Sequence, residues 1–540
     1  MKTSAINQGN FKAYQEKTFS LSDERLKTCY SLRRNRLSQK NFKLRYEAYI
    51  KDSKCNLEIE ISNKILETFP NDFMSKYTAA NDSEKVSYLF SLLNSTNEYQ
   101  YIAYAIASLR QISNRFKSSS DVDNVITVDH FNTIFNVLSS QRSNESILYE
   151  IIYFILNVIV NSETFRKQFA SSKDILVSLI QNFYWQSNNY IRGMLFMVFG
   201  NLIQEGEWET LNYISTSLPY FKILSDYMVT NLENIPNMLK WVIMWNIKLI
   251  FQFSPSESMD GLLSTFGTTI GKICLFVISD IDKAVFRESL DCVRVITEVL
   301  AEQKIGDANM TYMNNIFSST HLIKNIVPHI VLANQNEFLY DIFCIITHLS
   351  YIDDDYVYDL RMNNIFPQIE QFLIDLIAKE KINTKKISLK ELINFLNNCI
   401  YYPKCRKKII RKNNIVKSLV HLVKNITDKE LIKSIVEFIV AILDIEETDK
   451  SNNYIELIRL EVPELLLTII KDCIEDKEIS EKCFEGILRF LVYGNDLVKD
   501  TNIIASLYQE KGLRDIAEKF LMSNNAKIVS YCNEILNNFL

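Results

Sequence analysis

The chain has little glycine and little proline, with 11 Gly and 8 Pro among 540 residues. Mixed α/β and all-β folds use both residue types at hairpins, bulges and crossovers, so this scarcity excludes them and favours long helices. The sequence also lacks a run of about 18 apolar residues and an apolar signal segment at its amino terminus. We therefore expect an intracellular, soluble, all-α protein with no membrane insertion.

Marks of metal binding and catalysis are equally sparse. The 5 His and 10 Cys include no CxxC pair and no cluster at zinc-ligand spacing, which favours reduced, buried thiols and no metal or other cofactor. Gly261, Gly267 and Gly271 superficially resemble a phosphate loop, but the segment lacks the GK[ST] ending. No GxSxG motif occurs. We expect no enzymatic activity.

The net charge of −5 hides an asymmetry. Residues 1–50 contain eleven Lys and Arg against four acidic residues, a net charge of +7, so the remainder carries −12. A basic arm on an acidic body indicates binding to nucleic acid, to an acidic partner, or to the body itself.

Short proline-containing segments recur along the chain. Each proline stands just before an apolar run, where a helix tolerates it because its first N–H groups have no intrahelical partner. The steps from 177 to 219, from 328 to 367 and from 417 to 463 are 42, 39 and 46 residues, the period of armadillo or HEAT units. The prolines are Pro219, Pro328, Pro367 and Pro463.

An asparagine recurs inside apolar helical segments, four residues after a large or polar residue. The pairs are Tyr153 with Asn157, Met197 with Asn201, and Asn394 with Asn398. Residues four apart lie on one helix face. Stacked repeats align such positions along a groove, where carboxamides can bond the backbone of an extended peptide.

These helices resemble the armadillo repeats of the importin α family, whose repeat helix reads approximately KEAxWAxxNIxxG. The segment from Lys390-Glu391 to Asn398 follows this pattern with Asn394 in place of the tryptophan. The resemblance covers nearly the whole chain. It implies a right-handed armadillo-repeat α-solenoid of about ten repeats over residues 61–540, preceded by a basic, largely flexible arm over residues 1–60.

The resemblance also implies a nuclear import adaptor that binds nuclear-localisation-signal peptides of cargo proteins in its concave groove. There, aromatic faces hold lysine stems, amides hold the peptide backbone and acids hold ammonium groups. Asn246 is an alternative amide near Trp241 if the register shifts by one residue. By position, the groove residues are Tyr153, Asn157, Met197, Asn201, Glu205, Trp241, Trp245, Asn394 and Asn398.

The basic arm resembles the importin-β-binding segment of the same family. We expect Arg33, Arg34 and Arg36 to be its anchors, because planar guanidinium groups pair well with carboxylates. The implied partners are importin β and, for recycling, a nuclear export receptor; the implied location is cytoplasm and nucleus, with shuttling through nuclear pores. The arm residues are Lys12, Arg25, Lys27, Arg33, Arg34, Arg36, Lys43 and Arg45.

Other positions depart from the family pattern. Pairs without the usual aromatic and amide residues are Arg294 with Glu298, Cys344 with His348, and Glu437 with Ala441. Leu44 interrupts the basic cluster that would occupy the groove, so self-inhibition should be weak. We predict low affinity for ordinary basic signals or a specialised cargo set. The alternative is a generic armadillo-repeat interaction scaffold with degenerate or specialised recognition.

The sharpest basic run of the body lies between Lys404 and Lys412. We interpret it as a surface loop and helix in preference to a phosphate or nucleic-acid contact, because no interleaved aromatic residues follow it. The sequence therefore predicts no direct nucleic-acid partner.

Overall fold

The computed structural model describes the body of the chain, and its regular elements there are helical. It contains 29 α-helices and no strand within the described residues. The predicted arm, and the predicted boundary at residue 60, lie outside them. The described residues are 59, 69, 71–127, 129–205, 211–214, 217–230, 235–277, 283–303, 305–332, 338–378, 386–412, 414–443, 450–497 and 503–540.

The chain forms two compact units, residues 1–221 with 231–249, and residues 222–230 with 250–540. Helices α10 (Tyr220–Thr230) and α11 (Asn237–Phe253) are divided between them. The other helices of the first unit are α1 (Asn71–Ala79), α2 (Asp82–Ser95), α3 (Tyr99–Ser113), α4 (Ser119–Asp123), α5 (Asp129–Ser140), α6 (Glu145–Asn161), α7 (Glu163–Ser171), α8 (Lys173–Trp185) and α9 (Asn189–Glu205).

The second unit also consists of helices. Its helices are α12 (Met259–Phe276), α13 (Lys283–Glu302), α14 (Asp307–Ser319), α15 (Leu322–Ile326), α16 (His329–Leu332), α17 (Leu339–Ile352), α18 (Asp354–Met362), α19 (Ile365–Ala378), α20 (Lys386–Cys399), α21 (Pro403–Lys407), α22 (Ile415–Val423), α23 (Lys429–Leu443), α24 (Lys450–Arg459), α25 (Val462–Asp472), α26 (Lys477–Leu497), α27 (Ile503–Glu510), α28 (Leu513–Phe520) and α29 (Ala526–Asn538). A 3₁₀ turn (Ser256–Ser258) precedes α12, and a π-helical turn (Lys408–Lys412) follows α21.

Local signals set the helix starts. Asn81 forms a capping box with Glu84 at α2, and the Ser162 side chain accepts a hydrogen bond from the Phe165 N–H at α7. Such caps satisfy backbone donors that the helix itself leaves unpaired. The prediction for the four prolines is confirmed, because each lies at or directly before the first turn of a helix: α10, α16, α19 and α25.

The repeat unit is a short first helix, a second helix and a longer third helix. Among the described residues, four with positive φ stand at the same place, between the first and second helices of their repeats; they are His321, Asn364, Glu461 and Gly512. Only Gly512, at φ 81°, carries no side chain that opposes this conformation. The same tight turn therefore connects the first and second helices in each of these four repeats.

We call α3, α6, α9, α11, α13, α17, α20, α23, α26 and α29 the third helices. In the first unit α3 packs on α6 and α6 on α9; in the second, each third helix from α13 to α29 packs on the next. Helix α6 is buried from Ile147 to Ile159 because neighbours cover it on several sides. The chain is thus an all-α armadillo-repeat solenoid of about ten repeats, as predicted.

Polar side chains join successive repeats at the repeat spacing. The Asn182 amide donates to the Leu138 carbonyl at 3.3 Å, and the Asn525 amide donates to Glu481 at 2.9 Å. In both pairs the partners are 44 residues apart in sequence. These amides therefore gain a further partner when the neighbouring repeat is folded.

Eight cysteines among the described residues are free and buried, in agreement with the predicted thiols. Of the helices that the structure describes, none alone is long and apolar enough to cross a membrane; α6 and α7 together, bent by 120°, meet the length and composition criteria.

Candidate functional site

The third helices carry every described residue of the predicted groove. In the first unit, Asn157 of α6 is 2% exposed. Its amide nitrogen donates to Ser113 Oγ and to Asn114 Oδ1, both at 2.9 Å, at the end of the preceding third helix. Both amide N–H groups of Asn157 are therefore used inside the protein.

Tyr153, one turn before Asn157, is also engaged. The Arg110 guanidinium lies over its ring, 5.7 Å from the centroid. Arg110 forms a buried ion pair with Glu150, and the Ile59 backbone N–H donates to the same carboxylate at 2.8 Å. The aromatic face predicted to receive a lysine stem thus already holds a cation of this chain.

Met197 and Asn201 lie together on α9, and both are buried. The Asn201 amide donates to the Met197 carbonyl at 2.8 Å, within its own helix. Glu205 closes α9, and its side chain lies outside what the structure describes. Its predicted pairing with a cargo lysine stays a prediction.

Trp241 and Trp245 are on α11, and each is at most 5% exposed. The Trp245 indole fills the space left by Gly200 of α9, since a β-carbon there would lie 2.0 Å from Trp245 Cζ3. Asn246, the alternative amide, is fully buried, donates to the Phe196 carbonyl at 3.0 Å and accepts from Tyr220 Oη at 2.8 Å. These contacts hold α11 against α9.

In the second unit, Asn394 and Asn398 lie one turn apart on α20. Asn394 is exposed, whereas Asn398 is 7% exposed and donates to Ser350 Oγ of α17 at 2.9 Å. Asn398 therefore repeats the bonding of Asn157 to a serine of the preceding third helix. Sequence spacing places these residues on one face but does not show that the neighbouring helix uses the amide.

A charged cluster occupies the central third helices, where the family pattern has an aromatic residue. Arg294 of α13 contacts Asp291 at 2.9 Å, Glu298 at 2.8 Å and Asp341 of α17 at 3.2 Å. Asp341 is fully buried, whereas Glu298 retains 33% side-chain exposure. Three carboxylates therefore contact one guanidinium, and the Glu298 side chain is the most exposed of the three.

The surroundings of this Arg294 cluster add to its polarity. Burial raises the pKa of Tyr340, and the nearby Cys344 and Glu391 raise it further. The Thr297 hydroxyl and His348 Nδ1 are 3.2 Å apart. The i,i+4 spacing of Arg294 and Glu298 is visible in the sequence, but Asp341 enters only through packing of α17 on α13.

The last third helices carry a ladder of ion pairs. Lys433 of α23 pairs with Glu478, and Glu485 of α26 pairs with Lys482 and Arg489. Burial raises the pKa of Glu437, and the charges of Lys433, Lys482 and Lys390 only partly offset it. The position where the family has a tryptophan thus holds a half-buried carboxyl among lysines.

The described residues contain no group of His, Cys, Asp and Glu placed to hold a metal ion. The glycine-containing segment from Gly261 to Gly271 lies inside α12, a continuous helix. A helix of this kind presents no loop of backbone N–H groups to a phosphate. The arm residues from Lys12 to Arg45 lie outside the described residues, so their role stays a prediction.

No protein-family model matches the sequence, and no curated protein matches it. Among solved structures, an engineered protein is 15% identical with a TM-score of 0.62, covering 85% of this chain and 99% of its own. A structure from work on the cadherin and β-catenin interaction is 12% identical, covers 86% and 96%, and has a TM-score of 0.45. A designed armadillo repeat protein in complex with the peptide (KR)4 is 14% identical, covers 50% and 99%, and has a TM-score of 0.38. The likeness to the engineered protein supports the solenoid fold.

Proposed function

We propose that the chain is a non-enzymatic adaptor that binds an extended basic peptide along its third helices. More specifically, we propose a nuclear import adaptor of the importin α kind, which binds nuclear-localisation signals and is linked to importin β by its basic arm. It then shuttles between cytoplasm and nucleus, with a nuclear export receptor as its recycling partner. The observation that carries the proposal is the Arg294 cluster.

The cluster presents a carboxylate that a basic peptide can reach. Asp291, Glu298 and Asp341 all contact Arg294, and among them Glu298 has the most exposed side chain, at 33%. A lysine of a bound peptide gains a charge-assisted hydrogen bond to Glu298 without removing Asp341 from Arg294. The cluster also lies on the helices that would line the peptide groove.

Peptide binding is measured by fluorescence anisotropy with a labelled monopartite basic signal peptide. Glu298→Gln should weaken binding about three- to tenfold, because the pair is only partly shielded from water. Glu257→Gln, which makes the same charge change at an exposed residue of the 3₁₀ turn, is the matched control. Equal affinity of the wild type and both variants would exclude the Arg294 cluster as the basic-peptide site.

The import role is tested separately with residues 1–60 fused to an affinity tag. Capture of purified importin β by this segment, lost when Arg33, Arg34 and Arg36 are changed to Ala, is the expected result. Peptide binding by the body without capture of importin β would contradict the import role and leave a peptide-binding scaffold.

One observation favours the alternative, a generic armadillo scaffold. The amides of Asn157 and Asn398 donate to the preceding repeat, and Trp245 packs against Gly200. Residues that hold repeats together are retained whatever the protein binds. A scaffold with another ligand would show no affinity for the basic peptide and no capture of importin β.

A further inference from the structure

The structure places exposed tyrosines beside the basic run that follows α20. Tyr402 donates its hydroxyl hydrogen to Asp354 at the start of α18, and Lys408 Nζ donates to the Arg361 carbonyl near the end of α18 at 3.4 Å. These two contacts set α18 alongside α21 and the π-helical turn. Residues 47 and 48 positions apart in sequence are therefore neighbours.

This surface carries exposed aromatic rings and cationic side chains. Tyr358 is 53% exposed and Tyr401 is 44% exposed. The Arg361 guanidinium lies 4.9 Å from the Tyr358 ring centroid. We call Tyr358, Arg361, Tyr401, Lys404, Lys407 and Lys412 the tyrosine–lysine patch.

The lysines of the patch differ from other lysines nearby. Lys404, Lys407 and Lys412 are exposed, and none has an acidic partner within the part of the chain that the structure describes. By contrast, Lys386 pairs with Asp428 and Lys424 pairs with Glu461. The patch therefore keeps its positive charge for an external partner, although residues 51–540 are acidic in sum.

We propose that the tyrosine–lysine patch binds single-stranded nucleic acid. Bases stack on exposed aromatic rings regardless of sequence, and lysines along the strand pair with phosphates. Tyr358 and Tyr401 supply the rings, and Lys404, Lys407 and Lys412 supply the charges. A π-helical turn, a rare conformation that is frequent at functional sites, presents Lys412. This site is independent of the proposed peptide site.

Two other anionic partners fit less well. A flat anionic membrane would meet Asp354 and Asp355, exposed at the start of α18, together with the lysines. A single strand is narrow enough to follow only the basic end of α18. An acidic peptide would use the charges but has no stack of planar bases for Tyr358 and Tyr401.

The test titrates the full chain into a fluorescein-labelled oligothymidylate of about 20 nucleotides, long enough for a typical single-strand site. With about four phosphate contacts, the logarithm of the association constant should fall with the logarithm of salt concentration with a slope near −3. Lys404→Glu with Lys407→Glu should weaken binding at least tenfold. Lys477→Glu with Lys519→Glu, the same charge change at exposed lysines outside the patch, should change it far less.

Substitutions of Tyr358 distinguish base stacking from binding by charge attraction alone. Tyr358→Ala should weaken binding about 5- to 100-fold, whereas Tyr358→Phe, which retains a ring, should bind nearly as well as the wild type. Circular dichroism and melting temperature check that the variants fold.

Three results would overturn the proposal. The first is no binding of the oligonucleotide at low salt. The second is binding that the double lysine variant does not weaken, as expected if the basic arm of residues 1–50 were responsible. The third is patch-dependent binding of phosphatidylserine vesicles or of a polyglutamate peptide that is as tight as that of the oligonucleotide at the same salt.

Discussion

The substitution Gly200→Ala tests whether the Trp245 ring packs inside the protein or is available to a ligand. A β-carbon on Gly200 would lie 2.0 Å from Trp245 Cζ3 and 2.6 Å from Cε3, so the indole must move if alanine is introduced. Trp245 is only 4% exposed, which places the cost of Gly200→Ala near the upper end of usual overpacking, about 3 kcal/mol. Alanine offsets about 1 kcal/mol through its helix propensity. We expect a net loss of about 2 kcal/mol in the free energy of unfolding.

Gly271 provides the matched control, because a β-carbon there meets only Ile316 Cγ2 at 3.5 Å, an ordinary contact. Gly271→Ala should therefore stabilise α12 by about 1 kcal/mol. Hydrogen exchange read from peptides covering 189–205, 237–253 and 259–276 reports each helix separately, and urea unfolding gives the overall loss.

A second variant shows that the loss comes from the indole. Trp245→Leu should remove most of the penalty of Gly200→Ala, so the double variant should be more stable than the sum of the single changes predicts. If Gly200→Ala and Gly271→Ala stabilise their helices equally, Trp245 does not pack on α9, and its ring is available to a peptide.

Three further predictions concern buried polar groups. Glu150→Gln leaves the buried Arg110 guanidinium without its carboxylate and should cost about 3–5 kcal/mol in urea unfolding; Glu163→Gln, in an exposed pair, is the control and should have little effect. Asn398→Ala should cost about 1–3 kcal/mol and speed hydrogen exchange in α17, because Ser350 Oγ loses the amide N–H from which it accepts a hydrogen bond; unchanged stability would show that the amide is free for a ligand. His130 stacks on Phe90 with centroids 4.0 Å apart, and burial lowers its pKa, only partly offset by Asp129. The unfolded chain then binds the proton more readily, so stability present at neutral pH is lost as pH falls below about 6.5. His130→Gln should reduce this acid-side fall in melting temperature, and an identical pH profile would contradict the assignment.

The fold could be predicted from composition and from local sequence patterns. Scarce glycine and proline, together with a period near 42 residues, required stacked helices, and Pro463 marks a helix start as expected. The candidate site could not be predicted in the same way. It depends on which groups each amide bonds, and the packing of one repeat on the next determines those groups. Asn157 and Asn398 are indistinguishable in sequence from groove amides, yet both bond to a serine of the preceding third helix.

The tyrosine–lysine patch shows the same limit. The basic run from Lys404 to Lys412 has no aromatic residue after it in the sequence, which favoured a plain surface loop. Tyr401 stands just before the run, but the second ring, Tyr358, belongs to the preceding repeat and approaches only when α18 lies beside α21. Period and composition predict that repeats stack, but not which surface residues stacking brings together.

The hydrogen bonds between repeats make a boundary such as the one after Asn114 a poor place to cut the chain. A fragment beginning after residue 114 would lose Ser113 and Asn114, and the Asn157 amide would face a missing neighbour. A cut end of this kind exposes both an apolar helix face and hydrogen-bond donors that have lost their acceptors. Repeat proteins therefore need terminal repeats with a polar outer face. Fragments made for crystallography or binding assays should therefore receive a designed capping repeat at the cut end, and without one, melting should spread from that end inward.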